Sequence, residues 1–129
     1  MGTVPPEGAG EPLHAVVLIG ELLFGSKVRE ALRQLGIEAT FVTSPGSLDT
    51  TLSGPVALLI ADLQEARLEP MDAIRRAKAK GAAVLAYGSH VDAGALEAGR
   101  QAGADTVVPR SVFSSQLPEL IRGLVGRGR

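Results

Sequence analysis

The chain contains no cysteine. Disulfides, thiolate nucleophiles and Cys-based zinc sites are therefore excluded together, and with them a small disulfide-stapled secreted scaffold. Tryptophan is absent as well, and one tyrosine and three phenylalanines are the only aromatic residues. A core must then be built from Val, Leu, Ile and Ala, which suit strands covered by helices on both faces. Neither sign of charge prevails: 13 Lys and Arg stand against 14 Asp and Glu. That balance removes the electrostatic basis for general nucleic-acid or membrane-surface binding. Arg122, Arg127 and Arg129 near the end are too sparse to act as a nucleic-acid patch. Two histidines, His14 and His90, are too few for a multi-histidine metal site. The longest apolar runs, 15–19 and 56–61, are strand-length and far short of the roughly 20 residues that span a membrane. Residues 1–12 carry neither a basic n-region nor an apolar h-region, so they do not read as a signal peptide. The expectation is a cytoplasmic protein with no nucleic-acid or membrane partner.

What is present is a repeating pattern. At 129 residues the chain fits one domain, expected over 13–125, after a disordered Pro- and Gly-rich lead-in (1–12) and before a frayed tail (126–129). Strands are predicted over 14–19, 37–43, 56–61, 82–87 and 106–108. The first is continuously apolar after His14, as a strand buried on both faces must be. In the second, Ile37, Ala39 and Phe41 share one face and Glu38, Thr40 and Val42 the other, which suits a partly covered strand near an edge. Helices are predicted over 27–35, 70–80, 92–102 and 114–125. Val28, Ala31, Leu32 and Leu35 line one face of the first, with Ser26 as N-cap and Gly36 as its exit. Pro70 opens the second and Gly81 ends it. Pro118 is tolerable only near the start of the last. Residues 44–54 read as a loop with at most a short helix.

Strand and helix alternating five times at this spacing predict a flavodoxin-like α/β fold. Its expected form is a doubly wound, five-stranded parallel sheet of order 2-1-3-4-5 with helices on both faces. Ligands of such folds sit beyond the carboxyl ends of the strands. The residues to weigh are therefore Gly20 and Glu21, Asp62, Gly88-Ser89-His90, and Pro109-Arg110-Ser111. Gly20 to Lys27 nearly spells a phosphate-binding loop, but Ser26 and Lys27 stand in swapped order and Leu22-Leu23-Phe24 is too apolar for a phosphate cradle. That segment is better read as a turn plus an apolar stretch, either buried or exposed as a contact. Ser89 and His90 are adjacent, poor geometry for a nucleophile and its base. His90 is expected in a structural or interface role, or charged and paired if it lies near Asp62 or Glu21. Asp62 reads either as a nucleophile or metal ligand, or as a strand-end Asp accepting backbone N–H bonds from a turn.

The element order, the Asp62 that directly follows the third strand, and Ala102-Gly103-Ala104-Asp105 before the fifth resemble the response-regulator receiver (CheY-like) family over residues 14–125. The resemblance implies a phosphoacceptor at Asp62. It also implies an acidic pair after the first strand that binds Mg²⁺ with it, a Thr or Ser hydroxyl after the fourth strand, and a Lys-Pro pair after the fifth. Here the acidic pair becomes Gly20 and Glu21. The hydroxyl falls within Tyr87-Gly88-Ser89, with Ser89 the natural substitute, and Lys-Pro becomes Arg110-Ser111. Arg keeps the charge but is not equivalent to Lys; its candidate partners are Asp62 and Glu21.

The reading is a stand-alone pseudo-receiver of two-component signalling type. It would not be an enzyme and would act by protein–protein interaction, without standard Asp phosphorylation and without a cofactor. A protein partner, or a second copy in a homodimer, is expected on the face containing Tyr87, His90, Ala95, Gly99, Val107 and Phe113. Two alternatives stay open. One is a phosphorylated receiver that uses Asp62, with Mg²⁺ held by Glu21 and Asp62. The other is a small-anion-binding or enzymatic flavodoxin-like domain using Lys27, Ser89 and Arg110.

Overall fold

A computed structural model describes residues 13–44 and 46–126, apart from the Leu22 side chain. The expected lead-in at 1–12 and the tail beyond Gly126 lie outside the described residues. The elements run β1 (His14–Leu18), α1 (Leu22–Gln34), β2 (Glu38–Phe41), α2 (Gly46–Thr51), β3 (Leu58–Asp62), α3 (Pro70–Ala79), β4 (Ala83–Gly88), α4 (Ala93–Ala102), β5 (Thr106–Pro109) and α5 (Arg110–Val125). All strand pairs are parallel and the order is β2-β1-β3-β4-β5, as the alternating pattern requires. The three central strands are the continuously apolar ones, and the half-covered β2 and β5 form the edges.

Strand parity divides the core. Val16, Leu18, Leu59, Ala61, Val84 and Ala86 face α2, α3 and α4. Ala15, Val17, Leu58, Ile60, Leu85 and Tyr87 face α1 and α5, where Val28, Leu32, Phe113, Leu117 and Ile121 meet them. Tyr87 thus follows from the same alternation that buries Leu85.

Two helices start earlier than their apolar stripes suggest. α1 begins at Leu22, with the Gly25 N–H bonded to the Glu21 carbonyl at 2.9 Å. Ser26 therefore lies inside the helix and does not cap it. The Gly20–Lys27 segment is mostly helix, which removes the phosphate-loop reading. α5 begins at Arg110 directly after Pro109, so Pro118 falls in its middle, where the backbone at Gln116 leaves helical geometry (φ −123°, ψ 23°).

The Ala-Gly-Ala-Asp segment has a structural job. Gly103 ends α4 in the left-handed region (φ 115°), and the Ala104 N–H reaches back to the Gly99 carbonyl at 3.1 Å. Asp105 then joins three elements. Its carboxylate accepts the Val84 N–H at 2.7 Å and Lys78 Nζ at 2.9 Å, and its own N–H donates to the Val84 carbonyl at 3.0 Å.

Candidate functional site

Asp62 is the last residue of β3 and is only 5 % exposed. Its Oδ1 accepts the Gln64 N–H at 2.9 Å, closing the turn that leaves the strand. Burial raises its pKa above the ordinary 3.8, opposed by the Gln64 hydrogen bond and by Arg110, while Glu65 and Glu21 push it further up. Its register partner on β4 is Tyr87. The hydroxyl nearest Asp62 in the sheet is therefore the Tyr87 phenol and not Ser89. Ser89 belongs to the β4–α4 turn, where its N–H donates to Gln64 Oε1 at 2.9 Å and its Oγ accepts the Val91 N–H.

Tyr87 is fully buried and its hydroxyl has no hydrogen-bond partner among the described residues. Burial first, and the Asp62 carboxylate next, push its pKa up. Its ring stacks on Phe113 with centroids 4.1 Å apart, and Phe24 lies 5.5 Å from Tyr87 and 5.8 Å from Phe113. Three of the four aromatic rings of the chain thus gather under the carboxyl end of the sheet. Arg110 covers them, with its guanidinium carbon 5.1 Å from the Phe24 centroid and 5.6 Å from that of Tyr87. Its Nη1 donates to Glu21 Oε1 at 3.1 Å and Oε2 at 3.3 Å. Of its two candidate partners, then, Arg110 pairs with Glu21.

The space beside Gly20 is taken by the end of the flexible Glu65 side chain. The Glu65 carboxylate is held from its other side by Arg67 at 2.9 Å. Across the crevice, Gln64 Nε2 donates to Asp92 Oδ2 at 3.1 Å, and Asp92 Oδ1 caps α4 by accepting the Ala95 N–H. Gln64 thereby ties the β3–α3 turn to the β4–α4 turn, as the Arg110–Glu21 pair ties β5–α5 to β1–α1.

Solved structures share this architecture. A response regulator from Thermotoga maritima is similar with a TM-score of 0.74 at 18 % identity, over 90 % of this chain and 99 % of that one. A response regulator receiver protein from Burkholderia phymatum gives 0.74 at 24 %, over 90 % and 96 %. The receiver domain of a sensor histidine kinase from Pseudomonas aeruginosa, solved with magnesium coordinated in its active-site cleft, gives 0.74 at 16 %, over 90 % and 99 %. The chain has the receiver fold. No family model matches its sequence, and no curated protein matches it either.

Mg²⁺ keeps several waters and is held by one or two carboxylates, and the carboxylates at this crevice each have a partner within the protein. Position 20 offers no carboxylate, Glu21 is bonded to Arg110 and Glu65 to Arg67, and Asp62 accepts the Gln64 N–H. Among the described residues, no three His, Asp or Glu side chains converge on a point that could hold a metal ion. Lys27, the proposed anion ligand, turns away to α5, where its Nζ donates to Ser114 Oγ at 2.9 Å. Arg110, Ser89 and Lys27 are thus each engaged with other partners: Glu21, the Val91 N–H and Ser114.

The expected contact face is largely core. Tyr87 and Phe113 are fully buried, and Gly99 faces inward, with Leu63 side-chain carbons 3.0 Å from where its Cβ would stand. Ala95 and Val107 are half-buried, and Ser111 is exposed. His90 is exposed and, among the described residues, meets neither Asp62 nor Glu21 in an ion pair. The large apolar side chains left in solvent are Leu23 (81 % exposed), in the first turn of α1, and Val91 (79 %), in the β4–α4 turn. Phe24, next to Leu23, is half-buried in the aromatic cluster. No helix among the described residues is long and apolar enough to cross a membrane.

Asp62 supports a pH prediction. Its raised pKa means that the folded state holds the proton more tightly than the unfolded chain. Its contribution is therefore present at low pH and lost as pH rises through the folded value. Asp62→Asn keeps the acceptor for the Gln64 N–H and removes the desolvated charge. Urea unfolding is expected to show Asp62→Asn more stable by about 1 kcal/mol at pH 7, with the gain vanishing as pH falls below the ordinary carboxylate range.

Proposed function

We propose that this domain is a pseudo-receiver: a signalling module that acts by protein–protein contact, without accepting a phosphoryl group at Asp62 and without Mg²⁺. The observation that carries the reading is the Arg110–Glu21 pair. It commits the cation after β5 to the one carboxylate that follows β1, across the mouth of the crevice where a receiver's phosphoryl chemistry would take place. Glu65 over Gly20, the Tyr87 phenol beside Asp62, and the Gln64 tie between two turns support the same reading. Leu23, Val91 and His90 are exposed on turns at that end of the sheet, and they are the contact points this reading assigns to a protein partner.

The chain should stay unmodified when incubated with acetyl phosphate and Mg²⁺ and read by intact-mass spectrometry. A hydroxylamine-sensitive phosphoryl adduct, present in the wild type and lost in Asp62→Asn, would instead establish a working phosphoacceptor.

A further inference from the structure

Helix α5 is two pieces. Pro118 has no N–H to give the Ser114 carbonyl four residues earlier, and the backbone departs from helical geometry at Gln116. The abandoned carbonyl is taken up by another element: Lys27 Nζ of α1 donates to Ser114 O at 3.3 Å as well as to Ser114 Oγ at 2.9 Å. Lys27 thus restores from outside a bond that the helix cannot make.

The piece before the break, residues 110–115, carries the aromatic lid of the site. Phe113 lies on Tyr87, and Arg110 spans Phe24 and Tyr87 to reach Glu21. Both polar attachments of this piece end on α1, one at each end: Arg110 to Glu21, and Ser114 to Lys27. Beneath Phe113 lies Tyr87, whose neighbour on β3 is the buried Asp62. Phe113 anchors this piece in the same core that Leu117 and Ile121 of the following piece enter.

We infer that residues 110–115 form a strap, hinged at Gln116 and latched to α1 by Lys27, that opens locally to uncover Tyr87 and Asp62. The strap couples the surface of α1 to the crevice: whatever takes Lys27 or Glu21 away from α5 loosens the cover over the site. This holds whether or not Asp62 ever receives a phosphoryl group.

The chain has a single tyrosine and no cysteine, so nitration by tetranitromethane reads the opening over Tyr87 directly. The rate is measured on the full chain in low urea, well below the unfolding transition. A local opening gives a rate nearly independent of urea, whereas global unfolding gives one that climbs with the full urea slope. Lys27→Met, which keeps the side-chain stem and removes the donor, should nitrate about three- to tenfold faster than wild type, the factor a single hydrogen bond sets. Pro118→Ala, which restores the N–H for the Ser114 carbonyl, should nitrate more slowly than wild type, and Lys27→Met should add nothing on that background. Equal rates for wild type and Lys27→Met, a full urea slope, or an undiminished Lys27→Met effect in Pro118→Ala would each overturn the strap.

Discussion

Phe113→Ala is expected to lower stability by about 3–5 kcal/mol, the range for truncating a buried aromatic side chain, and to drop the Tm by roughly 15 °C or more for a domain of this size. The side chain is fully buried and packs on both Tyr87 and Phe24, so its removal takes one ring contact from each of them and opens a void. It also removes the apolar anchor of the segment that carries Arg110 to Glu21. Phe113→Leu should lose much less, because it keeps most of the volume. Urea unfolding followed by far-ultraviolet circular dichroism gives both numbers. A loss below about 1 kcal/mol for Phe113→Ala would mean that the aromatic cluster is not the core element described here.

Asp105→Ala is expected to cost about 2 kcal/mol, the worth of a charged hydrogen bond whose partner is left behind. The Val84 N–H loses its acceptor, while Lys78 Nζ loses its ion pair but keeps the Ala82 carbonyl at 3.2 Å. The half-exposed Lys78 regains water, so most of the loss comes from the backbone N–H at the start of β4. Asp105→Asn retains an acceptor for Val84 and should fall about midway. Equal losses for the two variants would assign the stabilisation to the Lys78 ion pair instead, the weaker kind of contact at a half-exposed position.

These two residues show what was legible in the sequence and what was not. The sheet and its order followed from apolar runs of strand length separated by helical stripes, because burial on both faces leaves no other pattern for β1, β3 and β4. Asp62 at the end of β3 was equally visible. The rest of the site depended on angles and register. The receiver resemblance places a hydroxyl within Tyr87-Gly88-Ser89 and favours Ser89 by residue type, whereas strand pairing sets Tyr87 opposite Asp62. Counting parity from Leu85 would have shown that Tyr87 points to the α1–α5 side.

Gln64 and Glu65 were missed altogether. They lie on a turn, where residue type alone does not say that one side chain bridges to Asp92 and the other fills the space over Gly20. The late expected starts of α1 and α5 have one cause. Both helices begin without a capping side chain, since Glu21 turns to Arg110 and Pro109 has nothing to offer, so the usual sequence signal for a helix start is missing. Tyr87, Gly99 and Phe113 looked like an interface because position on a helix or strand was read without burial.

On the proposed reading, the crevice is closed by its own side chains. Backbone NMR spectra of the full chain, recorded as Mg²⁺ and then beryllofluoride are added, test it most directly. No saturable shifts are expected at Glu21, Asp62, Tyr87 or Arg110 at millimolar concentrations of either. Saturable shifts centred on Asp62 and Arg110, absent in Asp62→Asn, would contradict it and show that the Arg110–Glu21 pair opens to admit metal and phosphoryl group.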